Sequence, residues 1–244
     1  MLSVIVPTLN EPHNVEELSR RIASALTQIV PFEIIFVDDS ADETPQVLKK
    51  LSDTYAFVRY VHRQKNTGLA MAAVEGFGLA YGETLAVIDA DLQHPPQLLA
   101  IMYREIEKGA DIVLPSRYVE SEQSEGLNFV RQIISSGAKR IGMIFVPALR
   151  QISDPTGGYF MFRSSVIAGK KLRPIGWKIL VEVMALGNYS SVVEVPYEFQ
   201  ERYTGYSKMS FKVSMQYLFH IASLFFRKEK GQHGETEPEA KTSE

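Results

Sequence analysis

The sequence predicts an α/β fold, a mostly parallel sheet with helices packed on both faces, and three observations carry that prediction. Up to about residue 118, short β-branched runs alternate with longer segments of helical periodicity. The runs SVIVP, EIIFV, VRYVH, TLAVI and DIVLP are apolar almost throughout, which is the pattern of strands buried on both faces. Between them, segments near 14–29, 42–52, 68–81 and 96–108 place apolar residues at helical spacing. Each helix is long enough to carry the chain back across the sheet, so neighbouring strands run parallel.

Bulk properties narrow the function. With 244 residues and 45% hydrophobic content, the chain can bury one substantial core, as one large domain or one domain with an appendage. A net charge of −3 and a pI near 6.0 lack the basic field of a nucleic-acid binder, so no nucleic acid is expected as partner. There is no cysteine, which excludes disulfides, thiolate nucleophiles and cysteine zinc sites. No stretch approaches the roughly 20 apolar residues that span a bilayer. The nearest, VSMQYLFHIASLFF, is interrupted by Gln216 and His220. The chain is expected to lie on a membrane rather than cross one.

After residue 118, ESEQSEG reads as a polar loop and GLNFVRQIISSGAKRIGMIFV as one helix. DPTGGYFMF is a turn entering a strand, WKILVEVMALG a helix closed by Gly187, and SVVEVPYEFQER a further strand. The division expected is a main domain over 1–209, with a membrane-interface helix at 127–146, then an amphipathic helix over 210–228. A tail disordered by composition follows over 229–244.

Doubly wound sheets bind ligands beyond the carboxyl ends of their strands. Here the first strand stops at PTLNE, the second at VDDS, the fourth at DADLQ and the fifth at PSR. Four polar strand ends facing one crevice make a site.

Within VIDADLQHPP, Asp89, Asp91 and Gln93 occupy alternate positions and share one face if the strand continues, with a turn expected near Ala90. Mg²⁺ and Mn²⁺ prefer oxygen ligands and commonly share one or two carboxylates with substrate phosphates. An Asp-x-Asp at a strand end suits that task. The same pair also suits capping of the following helix, and the motif alone leaves both readings open. Asp38 and Asp39 end another strand, where a carboxylate accepts hydrogen bonds from a ribose or a base, and Glu11 sits in a Pro/Asn-rich turn. Several carboxylates in one crevice repel one another unless a cation or a hydroxyl-rich ligand joins them. A nucleotide-sugar with its metal supplies both.

PTLNE, VDDS, DADLQHPP, PSRY, RQIISSGA, DPTGGYFMFR and RYTGYSK together resemble the family 2 glycosyltransferases of the GT-A fold. Within them the chain is most similar to the polyprenyl-phosphate (dolichyl-phosphate) mannose synthases, from about residue 2 to residue 226. The resemblance implies that Pro7, Glu11, Val37 and Asp39 hold the nucleoside. It implies a metal and diphosphate site at Asp89, Asp91 and Gln93, with Ala90 contributing backbone. It gathers Arg117, Arg131, Arg202 and Lys208 around the donor diphosphate and the lipid phosphate, where the guanidinium fork and the compact ammonium suit phosphate oxygens. Those four and Asp91 are the expected catalytic residues, Asp91 being the base if one is needed.

The implied donor is GDP-mannose, the acceptor a polyprenyl (dolichyl) phosphate, and the cofactor Mg²⁺ or Mn²⁺. The implied reaction inverts the anomeric centre. The nearest rival uses UDP-glucose, and a reading from another class is a non-catalytic nucleotide-binding membrane adaptor. A dinucleotide-dependent oxidoreductase is disfavoured, since no Gly-x-Gly-x-x-Gly follows the first strand. Leu9 stands where the family often has Tyr, removing a stacking contact with the base.

The acceptor implies a membrane surface as partner. In the final helix Phe211, Met215, Leu218, Ala222 and Phe225 fall on one face, with Lys208, Arg227, Lys228 and Lys230 at the ends. Core packing is the alternative for such a helix. Many members of the family it resembles carry transmembrane segments after the catalytic domain or rely on small membrane subunits. Here anchoring is expected to be peripheral, on the cytoplasmic face, or borrowed from such a subunit.

Overall fold

A computed structural model describes residues 1–64, 68–116, 146–153, 157–197 and Leu224. Among the described residues, seven strands form one sheet: β1 (Leu2–Thr8), β2 (Phe32–Asp38), β3 (Val58–His62), β4 (Thr84–Val87), β5 (Ile112–Ser116), β6 (Phe160–Arg163) and β7 (Val192–Pro196). All five apolar runs of the first 118 residues became strands. The order across the sheet is β3-β2-β1-β4-β6-β5-β7. From β1 the chain winds outward through β2 and β3, then returns to lay β4 on the other side of β1. The switch between β1 and β4 opens a crevice at their carboxyl ends.

Strand β6 is the exception to the parallel rule. It runs antiparallel to both β4 and β5, with Phe160 opposite Val87 and Arg163 opposite Thr84. It therefore enters the sheet at the carboxyl end of β4, and the residues just before it lie against the crevice.

The described helices are α1 (Val15–Leu26), α2 (Thr44–Thr54), α3 (Leu69–Leu79), α4 (Leu98–Glu107) and α5 (Ile179–Leu186). Alternate strand residues point to opposite faces, so β1 feeds two cores. Leu2, Val4 and Val6 pack with Leu18 and Ile22 of α1, Leu48 of α2 and Met102 of α4. Ile5 packs on the other face with Ala73 and Phe77 of α3, Phe160 and Phe162 of β6, and Leu180 and Val183 of α5. Burying each such Leu, Ile or Phe contributes roughly 1.5–3 kcal/mol. Two-sided burial explains why the strands read as continuous apolar runs. Gly187 ends α5 as expected, its N–H donating to the Val183 carbonyl at 2.8 Å.

The amino end of the sheet is closed by charge. Buried Glu33 of β2 accepts from Ser3 Oγ and from the Tyr81 N–H, both at 2.7 Å, and from Arg59 Nη1 at 2.5 Å. The Arg59 guanidinium also lies 4.2 Å from the centroid of the Tyr81 ring. That end is thereby sealed, and the carboxyl end is left for a ligand.

The expected helix at 127–146, the 210–228 helix apart from Leu224, and the tail lie outside the described residues, so the domain division remains an expectation.

Candidate active site

The loops after β1, β2 and β4 build one side of the crevice, and side-chain hydrogen bonds hold them in place. After β1 the chain turns at Asn10, which adopts φ 55°, a left-handed conformation that Asn tolerates better than most residues. The Asn10 N–H donates to Ser40 Oγ at 2.7 Å, and its Oδ1 accepts from the Ala41 N–H at 3.1 Å. The Glu11 N–H donates to Thr44 Oγ1 at 3.1 Å, and its carboxylate accepts from Asn14 Nδ2 at 2.7 Å. The loops after β1 and β2 are therefore tied to each other.

At the end of β2 the two aspartates divide. Asp38 turns into the protein, where it accepts from Ser40 Oγ and, at 2.7 Å, from His62 Nδ1. Asp39 turns to the crevice and is gripped by Arg63, Nε to Oδ1 at 2.7 Å and Nη2 to Oδ2 at 2.5 Å.

After β4 the strand does not continue: it ends at Val87, two residues before Asp89, and the chain turns at Ala90 as expected. Leu92 sits at φ 61°, a left-handed conformation costing a branched residue on the order of 1–2 kcal/mol. Asp91 Oδ1 accepts from the Gln93 N–H at 3.1 Å across that turn. Asp89 and Asp91 thus reach one cavity through a strained turn. The capping alternative also falls away, since the N-cap position of α4 is Gln97.

Asp89 is set by what surrounds it. Its carboxylate lies against Gly158, where an added Cβ would stand 2.9 Å from Oδ2. His94 Nε2 is 3.7 Å from the same oxygen. The imidazole packs on Tyr159, centroids 5.2 Å apart, and its Nδ1 lies 3.4 Å from the Tyr197 hydroxyl. Burial pushes the Tyr159 phenol well above its usual pKa, so it stays neutral.

These loops enclose a cavity of about 280 Å³. Pro7, Thr8, Leu9 and Glu11 line it from β1, Asp39 from β2, and Asp89, Ala90 and Asp91 from β4. Gly68, Leu69 and Ala72 at the start of α3, then Gly158, Trp177 and Lys178, complete the wall. Of the sequence-derived residues, Pro7, Glu11, Asp39, Asp89, Ala90 and Asp91 meet here. Gln93 is absent from the lining and contributes its backbone N–H to Asp91. Val37 is wholly buried behind the wall with Ile35 and Ala72. Arg117, Arg131, Arg202 and Lys208 lie outside the described residues.

Sequence reasoning missed Arg63, Gly158, Trp177 and Lys178. Arg63 had a readable signal, because it follows β3 directly and strand ends were the guide. Gly158 and the Trp177–Lys178 pair lie in the quoted segments DPTGGYFMF and WKILVEVMALG, but only the fold brings those segments to β4.

The donor set fits a hard cation held jointly with a ligand. Among the described residues, no group of three His, Cys, Asp or Glu side chains is arranged to hold a metal. Asp89 and Asp91 supply carboxylate oxygens at one cavity wall, the arrangement in which Mg²⁺ or Mn²⁺ completes its shell with phosphate and water.

Comparison with known proteins places this arrangement. Residues 3–169 match the glycosyl transferase family 2 profile. A dolichol-phosphate mannosyltransferase of Pyrococcus furiosus is 45% identical over 224 residues, covering 91% of this chain and 63% of that protein. The chain thus spans less than two thirds of that relative's length. A yeast protein of the same name, from Saccharomyces cerevisiae, is 32% identical over 235 residues, covering 91% of this chain and 86% of that one. Polyprenol monophosphomannose synthase of Mycolicibacterium smegmatis is 32% identical over 232 residues, covering 90% and 84%.

Among solved structures, glucosyl-3-phosphoglycerate synthase of Mycobacterium tuberculosis, in complex with Mn²⁺, uridine diphosphate and phosphoglyceric acid, superposes with TM-score 0.69 at 16% identity. It covers 92% of this chain and 78% of that one. Mannosyl-3-phosphoglycerate synthase of Rubrobacter xylanophilus gives TM-score 0.66 at 18% identity, covering 99% and 78%. These structures share the GT-A type of fold expected above. The match over 3–169, more than half of the chain, settles the family: the chain belongs to glycosyl transferase family 2.

Proposed function

We propose that the protein transfers mannose from GDP-mannose to a polyprenyl (dolichyl) phosphate, giving the β-linked lipid phosphate sugar by inversion. The observation that carries the reading is the convergence of Glu11, Asp39, Asp89 and Asp91 from three strand ends on one cavity. The names of the Pyrococcus, yeast and mycobacterial relatives give the sugar and the lipid.

In this reading Pro7, Glu11 and Asp39 form the nucleoside end, with Val37 packed behind them, and Asp89 with Asp91 the diphosphate end. A bound Mg²⁺ or Mn²⁺ would supply charge neutralisation at the departing diphosphate. Asp91, anchored by the Gln93 N–H, keeps its carboxylate aimed at that end. Arg117, Arg131, Arg202 and Lys208 offset the repulsion between an anionic donor and an anionic acceptor. The nucleophile is a phosphate oxygen, ionised near neutral pH, so a strong general base is not obligatory. Rate then comes from positioning and charge neutralisation.

The acceptor lies in a bilayer, and the enzyme meets it from the cytoplasmic face. Among the described residues, no helix is long and apolar enough to cross a membrane. Contact falls to the 127–146 and 210–228 segments, with a small membrane subunit where anchoring is borrowed. The test is transfer of labelled sugar to a polyprenyl phosphate in liposomes, GDP-mannose against UDP-glucose. Mannosyl lipid from GDP-mannose alone is the expected result. Glucosyl lipid would replace the donor, and nucleotide binding with no product from either would leave a binding adaptor.

A further inference from the structure

We propose that Arg63 is the positioning residue of the nucleoside wall: it presents Asp39 to the bound nucleotide and fastens that carboxylate to the α3 side of the same cavity. The proposal rests on the reading of the cavity as a nucleotide-sugar site.

Arg63 follows β3 directly, and its own N–H donates to the Asp38 carbonyl at 2.8 Å, so its backbone is set by the sheet. Its guanidinium meets Asp39 through two parallel bonds, of 2.7 and 2.5 Å. A planar fork makes such a pair of bonds and a lysine ammonium does not. The two side chains are only 8% and 5% exposed, so water screens the pair little and the geometry is stiff.

The same guanidinium reaches the opposite wall. Nη2 donates to the Gly68 carbonyl at 3.2 Å, and Nη1 lies 3.6 Å from Glu75 of α3. Gly68 is held at φ 96°, where a side chain would be strained, and a Cβ there would stand 3.3 Å from the Gly176 carbonyl. That carbonyl accepts from the Ala70 N–H at 3.2 Å, and Trp177 and Lys178 follow it in the chain. Arg63 therefore sets Asp39 directly, and through Gly68 it bears on the segment that carries Trp177.

An ionised carboxylate accepts about four hydrogen bonds. Arg63 takes one on each oxygen of Asp39 and leaves about one on each for a ligand. That suits two separate donors, such as neighbouring ribose hydroxyls or one hydroxyl and one base N–H.

Trp177 is the only tryptophan in the chain and lines the cavity, so its fluorescence reports occupancy without turnover. Wild type, R63K, D39N and the double variant D39N/R63Q are titrated with GDP and with UDP, by calorimetry and by this fluorescence. R63K is expected to bind nucleotide about tenfold or more weakly, because it keeps the charge and loses the fork. Its donor KM should rise in step and its kcat fall much less, with a melting temperature near that of wild type. The double variant should bind as D39N does, since Arg63 acts through Asp39.

R63K with wild-type affinity overturns the proposal. So does a double variant that binds about tenfold more weakly than D39N, because Arg63 would then act independently of Asp39. If R63K does not fold, the D39N pair decides alone. A wild type that binds neither nucleotide overturns the donor-site reading itself. Equal binding by wild type and R63K overturns only the role of Arg63.

Discussion

The Asp89 carboxylate rests against the α-carbon of Gly158, so closely that a methyl group there would stand 2.9 Å from Oδ2. The antiparallel course of β6 creates this contact, because it brings the residues before Phe160 alongside the end of β4. The Asp89 carboxylate is thus placed by packing from Gly158, far later in the chain. Gly158→Ala should turn Asp89 aside and lower transfer by roughly tenfold or more, the scale expected when a metal site's supporting contact is lost. The melting temperature should barely change, and Mg²⁺ or Mn²⁺ should be needed at higher concentration. Activity and metal titration on the purified variant check this.

In the proposed reaction Asp91 carries more of the chemistry. Asp91→Ala removes a carboxylate from the diphosphate end and is expected to reduce turnover by about a hundredfold or more, of the size seen when preorganised charge is removed from a reacting centre. Asp91→Asn, which preserves shape, should be nearly as impaired if charge is what matters. Full activity in either variant would remove Asp91 from the site.

The sealed amino end makes a contrasting prediction. Glu33→Ala leaves Arg59 without its buried partner and should cost roughly 3 kcal/mol, lowering the melting temperature by about 6–12 °C. Glu33 lies at the opposite end of the sheet from the cavity, so kcat and KM at low temperature should stay near wild type. Thermal denaturation and kinetics on one preparation separate the two effects.

Asp111 gives a pH dependence with a definite sign. The N–H groups of Ser190 and Ser191 and the Ser190 hydroxyl donate to its carboxylate, holding its pKa below the usual 3.8. A carboxylate with a lowered pKa stabilises the fold fully above that usual value. The contribution fades as pH falls through the lowered value. Asp111→Ala should cost about 1 kcal/mol near neutral pH. The gap between variant and wild type should begin to narrow below about pH 4 and close as pH falls past the lowered value, which denaturant melts across pH would reveal.

The first half of the fold was legible because burial on both faces writes itself as continuous apolar runs, and β1 to β5 fall on those runs. The carboxyl ends of β1, β2 and β4 carry readable polar motifs that meet at the cavity, whereas β3 ends in His62 and Arg63, which act on Asp38 and Asp39 and form no acidic motif of their own. The turn expected near Ala90 is present, but the left-handed Leu92 within it, which leaves Gln93 out of the cavity lining, is encoded by no periodicity. The direction of β6 was hidden for a related reason: a strand's apolar pattern is the same whichever way it runs. Trp177 and Lys178 reach the cavity through the backbone contact between Gly176 and Ala70, a long-range pairing without a local signal.

Metal-dependent transfer is the first thing to measure. The purified chain is incubated with labelled GDP-mannose and a polyprenyl phosphate in liposomes, first with a chelator and then with Mg²⁺ or Mn²⁺ restored. No product is expected under chelator, and lipid-linked mannose once metal returns. Undiminished transfer under chelator would contradict the role given to Asp89 and Asp91. No mannosyl lipid under either condition, from protein that binds GDP, would contradict the proposed reaction.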